Sequence, residues 1–253
     1  MNPAAFWELP WLLLPAAAIL IVAILYSSVG HGGASGYLAV MSLFSLAPAS
    51  LKPTALVLNI LVSGLAAWKF RRAGHFSWQS LWPFAAASIP LAFVGGMLTL
   101  PPLYYRPLVG AVLVFSAIRL LLRPPADPNP ILRPPLPAAL GWGGLFGLLS
   151  GLTGVGGGIF LSPLLLFKKW SGLRQASATA AVFIFVNSIA GLLGHLKSVA
   201  ALPSFTPLLA ACAVAGGLIG ATGGSQRFPL PVISRILAAV LLLAGTKLIL
   251  VPT

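Results

Sequence analysis

Acidic residues are nearly missing from this chain: Glu8 and Asp127 stand alone against fifteen lysines and arginines. Acid–base chemistry on paired carboxylates is thereby excluded, and a Ser-His-Asp arrangement would have to draw on Asp127, which sits in a proline-rich stretch. Cysteine is missing too, apart from Cys212, so an intrachain disulfide and a cysteine cluster for metal are both ruled out. Cys212 lies in an apolar run and reads as a small hydrophobe. The three histidines, His31, His75 and His195, are scattered, with none of the spacings that build a zinc site. No enzyme, metal or cofactor is expected. Charged residues of either sign make up only 7% of the sequence, where a soluble domain carries about 25%.

What is present is hydrophobic: 58% of the 253 residues. Apolar runs near the length of a membrane span recur throughout, so the expected fold is an all-α polytopic membrane protein. Ten hydrophobic segments fall into two groups of five, at about 10–29, 34–47, 54–70, 80–99 and 105–122, then about 138–153, 157–168, 175–196, 204–224 and 230–251. The domain reading is a first repeat over 1–122, a proline-rich linker over 123–137 and a second repeat over 138–253. The start, "MNPAAFWELP", has no basic n-region and reads as a mature terminus rather than a cleaved signal.

The net charge of +13 sits mostly at span ends, where it serves topology and anionic lipid rather than nucleic acid. Placing Lys69, Arg71 and Arg72 in the cytoplasm puts Arg119, Arg123, Arg133, Lys168, Lys169, Arg174, Arg227 and Arg235 there too. Only Lys52, Arg106, Lys197 and Lys247 remain on the opposite face. The positive-inside rule then puts the linker in the cytoplasm and both termini outside an inner membrane. Trp7, Trp11, Trp68, Trp78, Trp82, Trp142 and Trp170 fall near span ends, as an interfacial belt requires. Among ions, an anion suits so cationic a chain.

Two stretches repeat. "SSVGHGGASGY" begins at Ser27 and "SGLTGVGGGIFLS" at Ser150. Sequence pairing sets Val29-Gly30 on Val155-Gly156 and Gly32 on Gly158, with Gly157 in the place of His31. Gly95-Gly96 echoes Gly216-Gly217. Five segments per half means that the second half enters from the other side, an inverted-topology repeat. The segments after each motif give only about 21 Å and 18 Å of helix against a hydrocarbon core of about 30 Å. Each repeat therefore opens with a hairpin broken at its glycines.

Glycine turns at half-helix N-termini offer backbone N–H groups and partial positive charge, which suit an oxyanion. They also permit close helix packing. The expected substrate-binding residues are Gly30, His31, Gly32, Gly33, Gly154, Gly156, Gly157 and Gly158, with Asn59, Asn187 and Thr179 from apolar spans. Ser63, Ser177 and Ser188 also fall within spans and serve either the path or interhelical hydrogen bonding. His31 would tune the anion or couple it to protons. Lys52 and Arg174 follow the short segments, one at each face, and would draw an anion to either mouth or snorkel as anchors. His75 and His195 read as interfacial.

The turns "VGHGG" and "GVGGG", each followed by a loop carrying "LKPT" or "LRQASAT" and duplicated over nearly the whole chain, resemble the sulfite exporter TauE/SafE family. The resemblance implies export of sulfite, sulfoacetate or a related organosulfonate by alternating access. A carboxylate or neutral metabolite, or a membrane scaffold without a path, are the rival readings. Expected partners are the small anion, a coupling proton or other ion, lipid and a second copy of the chain.

Overall fold

The computed structural model describes residues 12–28, 30–122, 133–195, 202–224 and 230–250. Trp7, Glu8, Trp11, Arg123, Asp127, Lys197, Arg227 and most of the linker lie outside them. The described residues form ten α-helices: α1 Leu13–Ser28, α2 Ala34–Leu43, α3 Pro48–Arg72, α4 Trp78–Met97, α5 Pro102–Leu121, α6 Leu136–Thr153, α7 Gly158–Phe167, α8 Leu173–Gly194, α9 Thr206–Gly224 and α10 Leu230–Leu250. Four of them, α3, α4, α6 and α8, are long and apolar enough to cross a membrane. Exposed leucines, isoleucines and phenylalanines cover the outside of the bundle, as a lipid-facing surface requires.

The packing exchanges the two halves. Helix α1 lies on α9 and α6 on α4, while α3 crosses α8 and α5 crosses α10. Glycine permits the close approaches. Gly143, Gly147 and Gly151 of α6 rest on the main chain of Phe84, Ser88 and Ala92 of α4, so these two helices run parallel. Gly216 and Gly220 of α9 rest in the same way on Leu20 and Ile24 of α1. Such small-residue contacts replace the hydrophobic drive that lipid removes. Leu56, Asn59 and Gly64 of α3 meet Gly191, Ser188 and Phe185 of α8, so that pair is antiparallel. The echo of Gly95-Gly96 in Gly216-Gly217 is geometrical: each pair sends one glycine to α6 or α1 and the other to α8 or α3.

Helices α2 and α7 are ten residues each, about 15 Å long. They are built alike. Each starts after a left-handed glycine, Gly33 (φ 96°) or Gly157 (φ 74°). Each ends with a left-handed non-glycine residue, Ser45 or Lys169. Leu46 N–H then returns to the Met41 carbonyl, and Trp170 N–H to that of Leu165, the hydrogen bond of a Schellman ending. Nine residues of α2 are buried, which is how a half-length helix is tolerated at membrane depth.

Three sequence expectations change here. "LKPT" and "LRQASAT" are not loops but lie in the opening turns of α3 and α8: α3 starts at Pro48, where a first-turn proline is favourable, and carries Pro53 inside the helix. Trp170 does not face outward as a belt tryptophan would: it is buried against Phe84, ring centroids 6.1 Å apart. His195, at the end of α8, is likewise buried in the protein rather than exposed.

Candidate functional site

The two glycine turns meet on the crossing of α3 and α8. A methyl group added at Gly32 would overlap Asn59 Oδ1 and press on Ile184; one added at Gly156 would overlap Asn59 Nδ2 and press on the same Ile184. Asn59 and Ile184 lie near the middles of their helices. The turns arrive there from opposite ends of the crossing. Gly30 rests on Ser177 and Phe70, and Gly154 on the stem and main chain of Lys52.

This arrangement pairs the two glycine turns residue by residue. Gly30, Gly32 and Gly33 match Gly154, Gly156 and Gly157 in place and, at the first and last positions, in positive φ. The sequence pairing is therefore two residues out of register, and His31 corresponds to Val155, not Gly157. His31 is half-buried, and its N–H donates to the Tyr26 carbonyl at 3.0 Å. Across the crossing, Lys52 corresponds to Ser177, Thr54 to Thr179, Asn59 to Ile184 and Ser63 to Ser188. Arg174, the supposed partner of Lys52, is exposed near the start of α8.

Polar groups cluster at this point. Asn59 Nδ2 donates to Ser188 Oγ at 2.7 Å, and Ser63 Oγ donates to the Asn59 carbonyl. Asn59 Oδ1 is buried without a hydrogen-bond partner. Asn187 Nδ2 donates to the Phe183 carbonyl at 2.8 Å, and its Oδ1 is also unpartnered. The hydroxyls of Thr179 and Thr54 are buried and unpartnered alike. Along α3 and α8 these two threonines lie on opposite sides of Asn59 and Ile184, one toward each end of the crossing. Thr54 escaped the sequence reading; aligning the helices as "KPTALV" on "SATAAV" exposes it. Neither α2 nor α7 has a side-chain cap at its N-terminus, so their first amides keep their hydrogen-bonding capacity. Gly158, the first residue of α7, packs on Ile184 and the Ala180 carbonyl.

Lys52 is not at a solvent-facing mouth. It is 4% exposed, and its ammonium donates to the carbonyls of Gly95, Gly96 and Leu98 at 3.3, 3.2 and 3.4 Å. These are the C-terminal carbonyls of α4, the negative end of its dipole. Two other lysines also bond to main-chain carbonyls of another helix. Lys69, at the far end of α3, donates to the Leu218 carbonyl and Thr222 hydroxyl on α9. Lys247 of α10 closes the end of α2 through the Ser42 and Leu43 carbonyls at 2.9 and 3.0 Å. Because α3 thus holds the C-terminal end of α4 at its start and that of α9 at its finish, α4 and α9 run in opposite directions.

A polytopic helical bundle whose two halves each send a broken helix to one buried polar crossing defines a membrane transporter. Residues 15–248 match the family Sulfite exporter TauE/SafE, and the chain belongs to that family. It is 42% identical over 238 residues to "Probable membrane transporter protein y4hK" of Sinorhizobium fredii (strain NBRC 101917 / NGR234), covering 92% of this chain and 96% of that protein. No solved structure matches the chain significantly.

Proposed function

We propose that this chain is a secondary transporter of a small sulfur-containing oxyanion, sulfite or an organosulfonate such as sulfoacetate, working by alternating access between two inverted repeats. The supporting observation is the convergence of both glycine turns on the α3–α8 crossing at Asn59, flanked by the Thr54 and Thr179 hydroxyls, which are buried without partners and can donate to an anion. In this reading the anion takes amide hydrogens at the N-termini of α2 and α7, together with the Asn59 and Ser188 side chains. Oxyanions suit such termini because dipole and orphan N–H groups act together. The antiparallel crossing of α3 on α8 and the opposed α4 and α9 support the inverted plan, which places binding near the midplane. Both termini outside an inner membrane follow from the charge distribution of the loops, and export follows the family's description as sulfite exporters. The scaffold reading draws on the same close glycine packing, but it assigns no use to the unpartnered Thr54 and Thr179 hydroxyls.

The test is flux of labelled sulfite and sulfoacetate in proteoliposomes. Wild-type protein is expected to carry at least one of them, and Asn59→Asp, which sets a negative charge at the crossing, to lose the flux at least tenfold. If no anion of the panel moves and none raises the melting temperature, the sulfur-anion assignment fails.

A further inference from the structure

We propose that Lys52 and His195 form a proton-binding site on the C-terminal end of α4, and that it takes up its proton together with the transported anion. The inference rests on the anion reading above for its second half only.

The geometry is a shared carbonyl. Lys52 Nζ donates to the Gly96 carbonyl at 3.2 Å, and His195 Nδ1 lies 3.2 Å from the same oxygen. A carbonyl can only accept, so Nδ1 carries a hydrogen and Nε2 is the basic nitrogen left to bind a second one. The lysine comes from the start of α3, the histidine from the end of α8 and the carbonyls from α4, so one small cluster joins three of the four long spans. Among the described residues, charge reaches His195 from Lys52; α4 presents main-chain carbonyls, and the last turn of α8 carries no basic residue. Burial, then the Lys52 charge, hold His195 below the ordinary histidine range, and the Gly96 carbonyl partly offsets them.

The described residues include no carboxylate, since Glu8 and Asp127 both lie outside them. The ammonium of Lys52, a residue only 4% exposed, therefore has carbonyl dipoles but no carboxylate counter-ion among the described residues. Adding a proton to His195 sets a second positive charge beside it, which a low-dielectric site resists. An incoming anion removes that resistance. The Gly154 turn lies directly on the Lys52 stem, and Asn59 is seven residues further along α3, about 10 Å away. At that range a unit charge shifts proton affinity about tenfold. By linkage, the anion raises the affinity of His195 for a proton, and the proton raises that of the site for the anion. The opposite repeat has Ser177 where Lys52 would be, so the device exists at one end only.

Two measurements test this. The first needs no anion: melting of the purified protein is followed from pH 7 to pH 5. A histidine held below its unfolded value binds its proton first in the unfolded chain, so stability falls as pH falls through about 6.5. The wild-type melting temperature is expected to drop over this window. His195→Gln, which keeps a donor for the Gly96 carbonyl, should lose most of that drop, and Lys52→Met, if it folds, should shrink it. Equal drops in wild type and His195→Gln overturn the proton site. The second measurement adds methanesulfonate, whose charge is constant over this range, at pH 6 in weak buffer with an indicator dye. Anion binding, seen as a melting shift, should be accompanied by uptake of up to one proton per chain that His195→Gln abolishes. Binding with no uptake, or uptake that survives in His195→Gln, overturns the coupling. Absence of any melting shift with this and the other sulfur anions counts against the anion reading, while the first measurement still decides the proton site.

Discussion

Asn59 is the residue on which both repeats agree, and its neighbours show how little room the agreement leaves. Gly156 has φ +83°, and a methyl there would overlap Asn59 Nδ2 and meet Ile184 at 2.9 Å. Gly156→Ala therefore combines left-handed strain with displacement of a buried carboxamide. It is expected to lower the melting temperature clearly, by a loss of about 2–4 kcal/mol, and to suppress transport. Gly141 is the control, because nothing lies within 4 Å of a methyl at that position in α6. Gly141→Ala should be neutral or stabilising by up to about 1 kcal/mol. Parallel melting curves of the two variants check the contrast; similar losses would mean that the turn is not held as described.

The scarcity of carboxylates has its structural answer in the helices. Lys52 and Lys247 give their ammonium to main-chain carbonyls at the C-terminal end of another helix, while Lys69 reaches the Leu218 carbonyl further back in α9. These ends carry orphan carbonyls and partial negative charge, so they act as counter-charges that composition does not record. Lys247→Met is expected to destabilise by about 1 kcal/mol and to speed amide exchange at residues 42–46, where α2 closes. Unchanged exchange there would show that the lysine holds nothing. Much of this level was legible beforehand. The short segments after the glycine motifs are half-length helices because their apolar runs are short, and the glycines mark their starts because only glycine accepts the left-handed turn readily. The register was not legible. Matching consecutive glycines favoured Gly32 on Gly158, whereas backbone conformation and the shared contacts on Asn59 and Ile184 match Gly32 with Gly156. The partners of Lys52 and His195 were hidden as well, because both residues bond to main-chain carbonyls, and no side-chain pattern announces a carbonyl.

At the scale of the molecule, the halves are interleaved rather than side by side. The contacts of α1 with α9 and of α4 with α6 both cross between them, so most helices of one half find their main support in the other. A chain cut within the proline-rich linker and expressed as two fragments should reassemble, since the long interfaces do not need the covalent connection. Copurification of a tag on one fragment with the other is expected, together with recovery of transport. Fragments that fold separately and fail to copurify would contradict this packing.

The glycine stripes carry a further consequence. In the two parallel contacts the glycine rows come from the second half, on α6 and α9, while the first half offers the main chain of α4 and α1 and a single glycine, Gly95. A pair of first halves would press α1 on α4 with Gly95 in place of a glycine row between them, too bulky to close along its length. A pair of second halves would face α6 with α9, glycine against glycine, leaving gaps in both seams. If the two repeats descend from one ancestral segment that paired with its own copy, each has since surrendered that ability. They now fit as mould and cast, and neither half can stand in for the other.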